Sequence, residues 1–372
     1  MPLGSINQDG AALYYEDTGA PGGTEPYITI ILVHGTMFHS AVFRPMIPYA
    51  VSPNLRLVML NLRDYHRSTL YTPAELQALS SSDRKRQAAA IAARGLELAE
   101  FCRWFIETEH IPPIAKSSEF DGALSGGLSV LGWSSGNCQT FPLVAHADKV
   151  PPETNALLNT YLRNLIVYDM SEIALGMSPP DDLDCGPFRD DSLSPAERVA
   201  AFPAWVSAYF TQAIIGPDED ADSPCFASML IPRVAMHLHD PDRQWVPTVL
   251  RMSSETLAQI SDDDVMERSQ MFIQHADPSI YTENVRRVLF GISDSNGETT
   301  FPLSGVKIRV LWCDMSLGHC IFAAFKMKHL LSEHHKTGQP VRDVQFYRVE
   351  KVNHFAHWDD PERFTRLLAE VV

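Results

Sequence analysis

A chain of 372 residues with a formal net charge of −16 can bury a large core, either as one big domain carrying an insertion or as two domains. The excess of acid argues against nucleic acid or an anionic membrane surface as a partner. The six cysteines are scattered, with neither a CxxC pair nor a zinc spacing, and no segment reads as a signal peptide or a bilayer span. A soluble, cytoplasmic protein with free thiols and no metal is therefore the expectation.

Asp9-Gly10 and Thr18-Gly19 bracket an alternating stretch around Leu13, Tyr14 and Tyr15, which predicts an opening hairpin. Tyr27 to Val33 is a β-branched run of the kind buried in parallel sheets, and it ends in His34-Gly35-Thr36. A second run, Leu55 to Leu60, precedes Asn61-Leu62-Arg63-Asp64-Tyr65-His66-Arg67-Ser68. Pro73 to His110 reads as helix, with Ile91, Leu98, Cys102 and Phe105 on one face. Its Arg84-Lys85-Arg86 cluster is read as a solvated face.

Further strands are expected at Leu128–Leu131 and Leu165–Tyr168, the latter closing on Asp169. From about Ser171 to Leu303 no comparable strand appears, but amphipathic stretches do, the clearest carrying Phe202, Trp205, Val206, Tyr209, Phe210 and Ile214. The sheet pattern resumes at Val306–Trp312, a helix is expected over Ile321–Leu331, a last strand over Val344–Val349, and a helix starting at Pro361. Alternating strands and helices of this kind predict an α/β fold with a mostly parallel twisted sheet flanked by helices. The expected division is a core of 1–170 and 304–372 with a helical cap, or lid, of 171–303 inserted after the sixth strand.

Gly132-Trp133-Ser134-Ser135-Gly136 reads as a nucleophile elbow, in which a sharp strand-to-helix turn displays a serine hydroxyl. So tight a turn crowds the residues two before and two after the nucleophile. That places glycines correctly for Ser134, whereas Ser135 would put Trp133 and Asn137 at the crowded positions. A serine needs a base with a pKa near working pH, and the base needs an orienting carboxylate. Of fourteen histidines, His354 directly follows the last strand and is preferred over His357, which reads as packing. His34 reads as a turn-shaping residue, and His237 and His239 lack a third metal ligand nearby. Two carboxylates at strand ends, Asp169 and Asp314, both satisfy the order serine, acid, histidine.

These stretches together resemble the α/β-hydrolase fold family. Val33-His34-Gly35-Thr36 is similar to the family's His-Gly turn, Asn61 to Ser68 to its Asp-x-Arg-Gly-x-Gly-x-Ser stretch, and Asn353-His354 through Pro361 to its catalytic-histidine segment. Asn61, Asp64 and His66 replace the acid and the two glycines of that second stretch. The resemblance implies backbone N–H groups of Thr36 and Ser135 as the oxyanion hole. It also implies an acid a few residues beyond the seventh strand, nearer Ser316 than Asp314, or, in some branches such as zearalenone-lactonase-like members, just after the sixth strand, where Asp169 sits. Asp169 is favoured, with Asp314 as the alternative.

The expectation is a cofactor-independent serine hydrolase that cleaves an ester or lactone of an apolar, polyketide-like small molecule through an acyl-enzyme, in the manner of hydrolases of fungal natural-product pathways. The same residues could instead hydrolyse a thioester or carbon–carbon bond, or guide acyl transfer or cyclisation. The rival of another class is a ligand receptor on a hydrolase fold. Oligomeric state is not readable from the sequence; a homodimer is one option.

Overall fold

The computed structural model describes residues 2–22, 26–116, 124–178, 183, 186–213, 245–294 and 296–372. Its main sheet contains β1 (Leu3–Ser5), β2 (Ala12–Asp17), β3 (Ile28–Val33), β4 (Leu55–Leu60), β5 (Leu128–Trp133), β6 (Leu162–Tyr168), β7 (Lys307–Cys313) and β8 (Val344–Val349). They lie in the order β1-β2-β4-β3-β5-β6-β7-β8. Pairing is antiparallel at β1/β2 and β2/β4 and parallel across the rest. Each apolar run thus becomes a strand covered on both faces. Along β3, Ile31 and Val33 enter one core cluster while Ile30 and Leu32 enter the other, the period-two division a central strand imposes.

The first cluster is closed by α2 (Arg84–Glu109) and α3 (Asn137–Ala145). The second is closed by the 3-10 segment Ser40–Tyr49 and the terminal helix Pro361–Val371. The predicted helix from Pro73 to His110 is two helices, α1 (Pro73–Leu79) and α2. The break falls in a run of side chains that compete for backbone hydrogen bonds. Asp83 there accepts from the amides of Lys85 (2.9 Å) and Arg86 (3.4 Å) and starts α2 afresh.

Between β6 and β7 the described chain is helical in short pieces. The stripe read from Phe202 to Ile214 is not one helix: α4 (Pro195–Val206) carries Phe202, Trp205 and Val206, and then ends. Beyond it the Phe210 and Ala213 amides donate to the carbonyls of Met315 (2.9 Å) and Asp314 (2.7 Å), so the chain runs extended along the end of β7. Ile214, His237 and His239 lie outside the described residues. α5 (Pro278–Phe290) packs on α3, with Val285, Val288 and Leu289 in the first core cluster. After β7 comes α6 (Gly318–Lys336). Among the described residues no helix is long and apolar enough to cross a membrane.

Candidate active site

Register brings the chemistry to one edge. Val33, Gly132 and Val167 pair across β3, β5 and β6, so the chain leaves all three strands at the same level, at the carboxyl edge where open α/β sheets bind ligands. Ser134 turns there with φ of 55°, and Met37 (69°) and Asp169 (43°) also adopt left-handed backbone. Each such residue costs about 1–3 kcal/mol and persists only where the surroundings enforce it. At the elbow the enforcement is visible. A Cβ on Gly136 would lie 2.5 Å from the His34 carbonyl oxygen, and one on Gly132 would lie 2.5 Å from Thr140 Oγ1. Asn137 Nδ2 donates to the carbonyls of Gly132 (2.8 Å) and Ser134 (2.9 Å), locking the turn from its helical side.

His354 lies behind the elbow, fully buried. Trp133 Nε1 donates to the His354 carbonyl at 3.0 Å, as does the Tyr168 hydroxyl at 3.2 Å, so β5 and β6 together hold its backbone. Its Nδ1 is 2.5 Å from Asp169 Oδ2. Asp169 also accepts the Ser316 hydroxyl on Oδ2 at 2.5 Å and the Cys313 amide on Oδ1 at 2.9 Å. The imidazole Nε2 is buried and hydrogen-bonded to no described residue; in particular no hydrogen bond joins it to Ser134. Asp314 is turned elsewhere: it accepts from Arg348 (2.7 Å), Gln212 (2.8 Å) and the Lys351 amide (2.6 Å). The structure therefore brings Asp169, not Asp314, to His354.

Asp169, Cys320 and His354 place one ligand-type atom each within 4.8 Å of the others. An ion bound at about 2.0–2.3 Å by both groups would hold nitrogen and oxygen roughly 3 Å or more apart. The 2.5 Å between Nδ1 and Oδ2 has room for a shared proton only.

The turn after β3 faces the elbow closely: a Cβ on Gly35 would lie 2.9 Å from Ser134 Cβ. His34 donates through Nδ1 to the Gly35 carbonyl (2.9 Å) and accepts the Leu62 amide on Nε2 (3.1 Å). Burial among such neutral partners lowers its pKa to about 3. Of the substituted positions in the following loop, Asp64 takes left-handed backbone (φ 69°) and accepts the Tyr71 amide at 2.6 Å. Asn61 accepts the Ser40 amide at 2.8 Å. Thr36 and Ser135 meet through their hydroxyls at 2.6 Å. Two glutamines that carried no motif also reach them. Gln274 Nε2 donates to Thr36 Oγ1, and Gln270 Nε2 lies 3.3 Å from Thr36 Oγ1 and 3.4 Å from Ser135 Oγ. Both come from a π-turn, Met266–Gln270, that runs into the helical turn Met271–Gln274. Such turns cluster at functional sites, and their only trace in sequence is an i, i+4 amide pair.

Ser134, Ser135 and Thr36 open onto a cavity of about 340 Å³. Ile173, Met177, Phe188, Phe202, Trp205 and Leu317 supply most of its apolar wall, and Glu172 lines it as well. The histidine segment grips the chain just beyond the cavity residue Val206 and around Thr248. Asn353 Nδ2 donates to the Ser207 carbonyl (2.6 Å) and to Thr248 Oγ1 (2.8 Å). Asp359 accepts from Tyr209 (2.6 Å), Thr248 (2.7 Å) and Arg251. His357 bonds the Tyr168 hydroxyl (3.1 Å) and packs on Trp133 and Phe43; burial holds its pKa well below the usual range.

This sheet order, with a strained serine between β5 and α3 and a histidine after β8, is the α/β-hydrolase fold. No family model matches the chain, and no curated protein matches its sequence. Solved structures match it over its whole length. An esterase from Exiguobacterium antarcticum aligns at TM-score 0.52 and 13% identity, covering 100% of this chain and 99% of its own. A laboratory-evolved potato epoxide hydrolase aligns at TM-score 0.51 and 12% identity (100% and 98%). A carboxylesterase of Nitrososphaera gargenis aligns at 0.50 and 13% (100% and 97%). At this identity the likeness extends to the fold, which hosts more than one chemistry.

Proposed function

We propose that the chain is a serine hydrolase cleaving a carboxylic ester or lactone of an apolar small molecule. Ser134 attacks the carbonyl, His354 Nε2 takes its proton, and Asp169 holds the imidazole in the tautomer with hydrogen on Nδ1 and stabilises the imidazolium. The oxyanion is held by the N–H groups of Ser135 and Thr36, and water resolves the acyl-enzyme. The observation that carries this reading is the His354–Asp169 hydrogen bond of 2.5 Å, its histidine backbone tied to Trp133, the residue before a serine held at φ of 55°. In unliganded sites catalytic hydrogen bonds often tighten only when substrate binds; His354 Nε2, without a described partner, is free to close on Ser134. A serine at the elbow, where branches that open epoxides carry a carboxylate, favours the esterase-type neighbours over the epoxide hydrolase. The apolar wall supports a substrate of that polarity, and the pieces of 171–303 that line the cavity serve as its cap.

The experiment is labelling with a fluorophosphonate probe, with the modified peptide mapped by mass spectrometry. Wild type is expected to react at Ser134, and Ser134→Ala and His354→Ala are expected not to. A folded wild type inert to both this probe and a small acyl fluoride would overturn the reading in favour of a ligand receptor.

A further inference from the structure

Glu172 lies three residues beyond Asp169, at the cavity, and the chemistry described above leaves it without a task. It is 5% exposed and lines the cavity together with Ser134, Ser171 and the apolar wall. Among the described residues its carboxylate accepts one hydrogen bond, from the Ser171 hydroxyl to Oε2 at 2.8 Å, and no cation pairs with it. A carboxylate taken out of water and left with one neutral donor is costly, and such a group is kept where something else completes it. In a mixed cavity of this kind a few fixed polar groups orient the ligand and set its specificity, and Glu172 is the buried carboxylate among those that line this one.

Resting on the serine-hydrolase reading, we propose that Glu172 is the specificity-determining residue of this cavity and accepts a hydrogen bond from a hydroxyl group on the substrate, away from the reacting carbonyl. The complement of an acceptor-only side chain is a donor. A neutral hydroxyl costs far less to bring out of water than an ammonium group does, which leaves an alcohol or phenol as the match. The substrate class is then a hydroxylated apolar ester or lactone. A site built to bond a hydroxyl rejects the analogue lacking it, because its own polar group is left bare.

The test compares 4-nitrophenyl 3-phenylpropanoate with its 3- and 4-hydroxyphenyl derivatives and the 4-aminomethyl analogue, in wild type, Glu172→Leu and Glu172→Gln. At least one hydroxylated isomer is expected to exceed the parent about 10- to 100-fold in kcat/KM, the range of a hydrogen bond to a charged group. In Glu172→Leu that ratio is expected to fall to about 1, and in Glu172→Gln, which preserves shape should the leucine variant fail to fold, to an intermediate value. Calorimetry with the corresponding unreactive methyl ketones reads the same selectivity without turnover. Hydroxyl selectivity in binding beside an unlabelled Ser134 would sink the hydrolase reading and leave Glu172 in its role. No preference among the isomers in either assay, a preference that survives Glu172→Leu, or a preference for the aminomethyl analogue would overturn the proposal.

Discussion

Asp169 and Asp314 end adjacent parallel strands, β6 and β7, and are 1% and 0% exposed. They differ in backbone, which is left-handed at Asp169 and not at Asp314, and in company. Asp314 is neutralised by the Arg348 guanidinium and tied by a glutamine and a backbone amide. Asp169 meets neutral donors, a serine hydroxyl and an amide, together with an imidazole. A carboxylate already paired with a cation gains little from a second positive charge, whereas one held by neutral dipoles is poised to stabilise an imidazolium when it forms. Two buried aspartates at neighbouring strand ends are thereby separated into a clasp and a candidate catalytic partner.

The largest expected effect breaks the second role. Asp169→Asn should lower kcat by about 10⁴ while fluorescence and circular dichroism report an intact fold, because the amide favours the wrong tautomer of His354; a loss below tenfold would remove Asp169 from the chemistry. The comparison extends to the two histidines of this edge. His34 has no carboxylate, and its pKa in the folded chain is about 3 against an ordinary 6.5. Between those values the unfolded chain binds a proton that the folded chain does not. The stability this contributes is complete above about pH 6.5 and declines as pH falls towards 3. From pH 7 to pH 5 the share of His34 is about 2 kcal/mol, by 1.36 kcal/mol per pH unit. Urea unfolding of wild type should show that decline, and His34→Gln should flatten it by this amount.

A smaller effect sharpens the comparison at Ser316. Removing its hydroxyl takes one of the donors from Asp169 Oδ2, and Ser316→Ala should lower kcat about tenfold, the worth of one hydrogen bond, with KM unmoved. The smallest effect belongs to the clasp. Asp314→Asn keeps an acceptor for the Lys351 amide and loses the Oδ2 bonds from Arg348, which is 31% exposed, and from Gln212, a cost of about 1–3 kcal/mol of stability. Turnover should stay within threefold of wild type. A drop near that of Asp169→Asn would reverse the two assignments.

Much of this edge was legible because its constraints are local. Gly132 and Gly136 mark a crowded turn whichever helix follows, and the short apolar runs place His34, Ser134 and Asp169 at strand ends. The choice between Asp169 and Asp314 turns on Arg348, some 34 residues beyond Asp314 on another strand, and neither motif nor periodicity reports that contact. Gln270, Gln274 and Glu172 left no mark either, since each is an ordinary polar side chain brought to this edge by tertiary placement. The stripe from Phe202 misled for a related reason. Its spacing is helical, but past Val206 the backbone finds partners at the end of β7, and tertiary hydrogen bonds override local pattern.

Asn353 and Asp359 flank His354, and both hydrogen-bond to the chain that follows the cavity residue Val206 and to the turn around Thr248, at Ser207, Tyr209, Thr248 and Arg251. The chain that follows the cavity residue Val206 and the loop that carries His354 are thus one mechanical unit. A chimera that imports this stretch from a homologue inherits an obligation: it must also bring donors for these two side chains, or it will exchange selectivity and lose the alignment of its histidine in the same step.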